Sequence, residues 1–197
     1  MTGNFEHLLP LAEEGNDAAQ YQIGQMYEFG HGTEKDFVKA FQWYKKAADQ
    51  GNPKAQYNLG VLYEHGRGIE ADLSLAKELY QKAADQGDPW AQNNLGYLYS
   101  QGKGVEKSDE KALEWYRKAG AQGHFQAQFN IGARYASGQG VEIDLVEAHY
   151  WISRSIFGSS ALNQERAKKT IHMLEENMSP EEIQAAKNKI EDLLKEN

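Results

Sequence analysis

The same residues return every 36 positions along this 197-residue chain, and that step limits it to an array of small units. The pair Ile23-Gly24 recurs as Leu59-Gly60, Leu95-Gly96 and Ile131-Gly132. Tyr27, Tyr63, Tyr99 and Tyr135 keep the step, as do Ala19, Ala55, Ala91 and Ala127, each followed by Gln. Ala40, Ala76, Ala112 and Ala148 hold it too. So does a pair of glycines, Gly30 and Gly32 in the first copy and Gly138 and Gly140 in the fourth. Four copies occupy 17–52, 53–88, 89–124 and 125–160. A unit of this size cannot bury an apolar face alone, so each copy must stack on the next.

Each copy reads as two helices. Ala19, Ile23 and Tyr27 stand four apart with Gly24 beside them, which makes one helical face. Phe37, Ala40, Tyr44, Ala47 and Ala48 make another. Asp36, Asp72, Ser108 and Asp144 stand where the second helix needs an N-cap. Gly51, Gly87 and Gly123 stand where it needs a left-handed close. Asn52-Pro53 and Asp88-Pro89 then open the next copy, with a capping side chain followed by proline at the first helical position. Small residues such as Gly24 and Ala40 let helices approach, while Tyr27, Trp43 and Tyr44 fill the remaining space. A large side chain at Gly60 is expected to break a helix crossing.

The ends read as caps. Residues 3–15 form half a repeat, with Leu8, Leu11 and Ala12 expected to face inward and Gly15 in phase with Gly51. Residues 161–197 form C-terminal capping helices. The first runs through Leu162, Ala167, Ile171 and Leu174. The second opens on the capping box Ser179-Pro180-Glu181-Glu182 and runs through Ile183, Ala186, Ile190 and Leu193. Capped ends favour a monomer.

Composition removes several function classes. Acids outnumber bases by 29 to 21, and a formal charge of −8 argues against nucleic acid or an anionic membrane surface as partner. The absence of cysteine removes disulfides, thiolate metal sites and cysteine nucleophiles, and fits a reducing, cytoplasmic compartment. No apolar run approaches the ~20 residues of a membrane span. The first residues carry neither a basic head nor a continuous apolar segment, so no secretory signal is read there.

Copies such as AQYNLGVLYEHGRGIEADLSLAKELYQKAADQG resemble Sel1-like repeats, relatives of the tetratricopeptide repeat. The tail MSPEEIQAAKNKI is similar to the closing helix of many bacterial Sel1-like proteins. The resemblance implies an all-α, right-handed α/α superhelix, a single solenoid over 1–197 with four repeats between helical N- and C-terminal caps. It also implies a role as adaptor or scaffold between other proteins. Some relatives so resembled are secreted, disulfide-bridged proteins associated with penicillin binding, from which this chain departs by having no cysteine. Others resemble immunity proteins that neutralise a toxin, and a charge of −8 would steer a basic toxin inward.

By analogy with tetratricopeptide arrays, ligands lie along the concave face, lined by the first helix of each pair. Counting from Ile23-Gly24, this face holds Ala18, Tyr21, Gln25, Glu28 and Phe29. The second copy gives Lys54, Tyr57, Val61, Glu64 and His65, and the third Trp90, Asn93, Tyr97, Ser100 and Gln101. The fourth gives Gln126, Phe129, Ala133, Ala136 and Ser137. These slots vary between copies where the core slots do not, and they are richer in aromatic rings than the chain as a whole. Few are charged. Such a groove suits a peptide or protein partner anchored by Tyr and Trp. Tyr21, Tyr57 and Phe129 share one slot and are read equally well as rings packed between adjacent helices. Lys54 and Asn93 are the only candidates for a carboxylate tail on this face, and two such groups do not make a clamp.

Enzyme chemistry finds little support. Ser-x-x-Lys occurs as Ser74/Lys77, Ser100/Lys103 and Ser108/Lys111, but the Ser-Asp-Asn and Lys-Thr-Gly elements of serine penicillin-binding enzymes are absent. The six histidines include no pair three or four apart, so no helix presents a metal-ligand pair. No catalytic residue, cofactor or metal is expected.

Overall fold

The computed structural model describes residues 3–196, which form α-helices joined by short turns, with no strand among them. They fall into two compact units, Met1–Ala91 and Gln92–Asn197. The first holds α1 (Gly3–Glu13), α2 (Asp17–Phe29), α3 (Phe37–Asp49), α4 (Pro53–His65), α5 (Leu73–Asp85) and the opening of α6 (Pro89–Gln101). The second holds the rest of α6, then α7 (Asp109–Ala121), α8 (Phe125–Ser137), α9 (Leu145–Arg154), α10 (Ala161–Glu175) and α11 (Pro180–Glu196).

The helix ends sit where the punctuation puts them. Asp36 Oδ1 accepts from the amides of Val38 and Lys39, and Asn52 Oδ1 accepts from Ala55 ahead of Pro53. At the close of α3, Asn52 N donates to Ala47 O and Gly51 N to Ala48 O, a Schellman pair that needs the left-handed φ of +92° at Gly51. Ser179 and Glu182 exchange the two reciprocal bonds of a capping box at the start of α11.

Close approach explains the invariant small residues. A Cβ on Gly60 would lie 2.8 Å from the Tyr80 ring, and one on Gly24 2.6 Å from the Tyr44 ring. In the first unit, α2 packs on α3 and α4 on α5 around Ala40, Tyr44, Ala47, Ala55, Leu59 and Leu62. In the second, α7 and α8 pack around Ala112, Tyr116, Ala119 and Ile131, and α9 packs on α10 and α11.

A glutamine relay ties successive copies. Gln20 Nε2 donates to Ala12 O, Gln56 Nε2 to Ala48 O and Gln128 Nε2 to Gly120 O. Each relay glutamine then accepts from the residue thirty positions on: Gln50 to Gln20, Gln86 to Gln56 and Gln122 to Gln92. For Gln128 that position is Gly158, and Gln128 Oε1 has no partner among the described residues.

One expected inward residue, Leu11, points outward, and so does Leu162 of the pattern along the first C-terminal helix. Leu11 and Leu162 are exposed, although Ala12, Ala167 and Leu174 are buried as expected. α1 packs mainly on α2 alone, so a narrower stripe is covered than in an internal helix. α9 is three residues shorter than the second helices of the other copies and ends at Arg154.

Candidate functional site

The first unit carries a cavity of about 480 Å³ between α2, α4 and the opening of α6. Its walls are Tyr21, Gln25, Phe29, Tyr57, Val61 and Trp90, with Glu28, Lys54, Asn58 and Asp88. All but Asn58 and Asp88 belong to the predicted groove slots. Phe29 and Trp90 are 56% and 48% exposed, unusual for rings of this size on a helix. Tyr21 and Tyr57 do both things the sequence allowed. They pack on Tyr44 and Tyr80 at centroid distances of 5.9 and 5.8 Å, and they still face the cavity. His65 is exposed but does not line it.

Two acids of the lining, Glu28 and Asp88, are hydrogen-bonded, and the bond to Glu28 recurs one repeat on at Glu64. The Tyr44 hydroxyl donates to Glu28 Oε2 at 2.6 Å, and Tyr80 donates to Glu64 in the same way. Burial, with the neighbouring Glu28 carboxylate, pushes the Tyr44 phenol far above its usual range. Burial and the charges of Asp88 and Glu28 also raise Tyr21. Asp88 caps α6 by accepting from Ala91 N at 2.8 Å, and burial raises its carboxyl.

The second unit carries a cavity of about 440 Å³ with a different lining. Asn93, Tyr97, Ser100, Gln101, Gln126 and Ala133 come from the predicted slots. Asn94, Asn130, Tyr116, Arg134 and Gln139 do not. Carboxamides form a chain along its wall: Gln126 donates to Asn130, Asn130 to Asn93, and Asn93 to Asn94. Tyr97 is 40% exposed, and Lys103 Nζ reaches its hydroxyl at 3.1 Å and its ring face at 4.9 Å. Phe129 lies elsewhere. It packs into the C-terminal cluster, with the Arg166 guanidinium 4.5 Å from its ring centroid.

Two kinds of residue escaped the sequence reading. Asn58, Asn94 and Asn130 share one 36-residue slot, and that recurrence of carboxamides was the available signal. Arg134 stands in a slot otherwise held by Met26, Leu62 and Leu98, and a charge among apolar equivalents was the available signal.

The Ser-x-x-Lys residues do ordinary structural work. The Ser74 amide donates to the Asp72 cap, Ser100 donates to Tyr97 O, and Ser108 caps α7. Among the described residues, no three His, Asp or Glu side chains gather to hold a metal, and no helix is long and apolar enough to cross a membrane.

Comparison with known proteins agrees with this architecture. The Sel1 repeat family matches residues 17–52, 53–88, 91–124 and 125–156. A Sel1 repeat protein from Oxalobacter formigenes is 42% identical over 72% of this chain and 56% of its own, with a TM-score of 0.68. The protein c5321, a protective antigen present in uropathogenic Escherichia coli strains displaying an SLR fold, is 30% identical over 95% of this chain and 47% of its own, with a TM-score of 0.63. This chain thus spans about half the length of either. The immunity protein Pa5087 from Pseudomonas aeruginosa shares the fold alone, at 22% identity over 94% of this chain and 74% of its own, with a TM-score of 0.54. No curated protein matches. Four matched repeats, each with a glycine on its first helix where the second helix packs, place the chain in the Sel1 repeat family.

Proposed function

We propose that the chain is a non-enzymatic protein-interaction module, an adaptor or scaffold working as a monomer in the cytoplasm. It holds a peptide or protein partner against the repeat-variable face of its first helices. One observation carries the reading. Core rings such as Tyr44 and Tyr80 are sealed, whereas Phe29, Trp90 and Tyr97 offer large apolar area to solvent at slots that packing leaves free. Rings of this kind, next to hydrogen-bonding side chains, are the usual anchors of a protein interface. The cavities supply room for them to act: Trp90, Tyr57 and Phe29 line one, and Tyr97 the other. The lack of cysteine supports a reducing location.

The test begins with affinity capture of the partner from the native host and its identification by mass spectrometry. Trp90→Ala and Tyr97→Ala are then titrated against that partner. Loss of an anchor should cost about 2 kcal/mol or more in binding. If both variants bind as wild type does, the groove assignment is wrong.

A further inference from the structure

One tyrosine slot, read in three repeats, changes its chemical surroundings in the third. In the first repeat Tyr44 donates to Glu28 at 2.6 Å and packs in one cluster with Leu62. Tyr80 has the same bond to Glu64 in the second. In the third repeat the tyrosine is kept as Tyr116, but the glutamate slot holds Ser100, and the leucine slot, which falls in the fourth repeat, holds Arg134. Among the described residues the Tyr116 hydroxyl thus donates to no carboxylate, and Ser100 and Arg134 line the same cavity.

Arg134 is only 5% exposed, yet it lines the cavity of the second unit and is its one charged wall residue. Asp109 holds it from behind, with Nη1 at 2.9 Å, and the Arg134 guanidinium lies 5.5 Å from the Tyr116 ring centroid. Two repeats earlier the slots of Asp109 and Arg134 hold Phe37 and Leu62, which belong to one apolar cluster. An apolar pair has thus become an ion pair at the same place where the internal carboxylate was lost. Burying a guanidinium is costly, and Asp109 together with the Gln139 carbonyl, 3.4 Å from the same Nη1, satisfies only part of its five-donor fork.

We propose that this cavity binds an acidic side chain of the partner, a glutamate or aspartate whose carboxylate takes the place against Tyr116 that Glu28 occupies against Tyr44. The proposal rests on the groove reading above and names the partner's chemistry at one point of it. Two internal glutamates supply the template for the occupant, and both are side-chain carboxylates rather than chain ends. The carboxamides of Asn93, Asn94 and Asn130 along the same wall match the peptide groups that flank such a side chain. The missing carboxylate and the added guanidinium also revise the expectation that Lys54 and Asn93 are the only groups suited to a carboxylate.

The test uses the full 15N-labelled chain and four probes followed by NMR. N-acetylglutamate α-amide offers only a side-chain carboxylate, and N-acetylglutamine α-amide is its neutral counterpart. N-acetylalanine offers only a terminal carboxylate, and inorganic phosphate is the fourth. The first probe should produce saturable shifts at Ser100, Tyr116 and Arg134, and the neutral probe none. Ser100→Glu restores the internal bond of the other repeats and should weaken that binding about tenfold or more. The double variant Asp109→Leu, Arg134→Leu restores an apolar pair and should do the same. The assignment is overturned if the first probe gives no saturation, if the neutral probe matches it, or if Ser100→Glu binds it unchanged. Saturation by N-acetylalanine or phosphate alone overturns the side-chain source and assigns the pocket to a chain terminus or a phosphate. No partner is present in this titration, so its failure sinks the acidic-residue assignment and leaves the groove to the Trp90 and Tyr97 titrations.

Discussion

Gly60→Ala sets two physical effects against each other, and the sign of the result decides between them. A glycine inside a helix costs about 1 kcal/mol relative to alanine, so propensity alone makes the substitution stabilising. Packing says the reverse. The new Cβ would lie 2.8 and 2.9 Å from two carbons of the Tyr80 ring and 3.2 Å from Ala76 O. That ring cannot yield easily, because Tyr80 is fully buried and its hydroxyl is held by Glu64 at 2.6 Å. Overpacking against a fixed neighbour reaches about 3 kcal/mol. The expected balance is a destabilisation of about 2 kcal/mol. Urea denaturation followed by circular dichroism reads it as a midpoint lowered by about 1 M at an ordinary slope. In the background Tyr80→Leu the obstructing ring is gone, and most of the penalty should vanish as a coupling energy between the two sites. A Gly60→Ala protein more stable than wild type would show that the helices do not meet as closely as described.

The remaining predictions concern buried polar groups. His124 caps α8 by accepting from Ala127 N at Nδ1, and burial holds its pKa down to about 4. A folded-state pKa below the unfolded value means that the unfolded chain binds the proton first. Its stabilising share is therefore complete above about pH 6.5 and lost as the pH falls toward 4, a loss of about 3 kcal/mol. His124→Asn restores the residue found at the equivalent positions 16 and 52, and stability measured across that window should become flatter. If the variant and wild type lose stability in parallel, His124 is not the titrating group. Tyr44→Phe removes the donor to the buried Glu28 carboxylate and should cost about 1.5–3 kcal/mol in thermal or chemical unfolding, and an unchanged midpoint would refute that bond's weight.

Repeat position made most of the fold readable, and the same logic hid part of the site. Asn52-Pro53, the Gly51 close and the Ser179–Glu182 box each act through bonds within a few residues, so their geometry follows from local sequence. Trp90 and Phe29 could be placed because they differ from their equivalents in outward slots. Arg134 could not. Its slot is apolar in three copies, and only the position of Asp109, a helix away, shows that a charge belongs there. Leu11 was misjudged for the opposite reason: helical spacing says which face is apolar, but not how many neighbours cover it.

The glutamine relay has a consequence for how long such a molecule can be. Gln20 and Gln56 each grip a main-chain oxygen behind them and are gripped by the glutamine thirty positions ahead. At Gln128 the forward latch is open because Gly158 stands where the donor should be. A further 36-residue segment that kept this latch would need glutamine at position 158, in step with Gln50, Gln86 and Gln122.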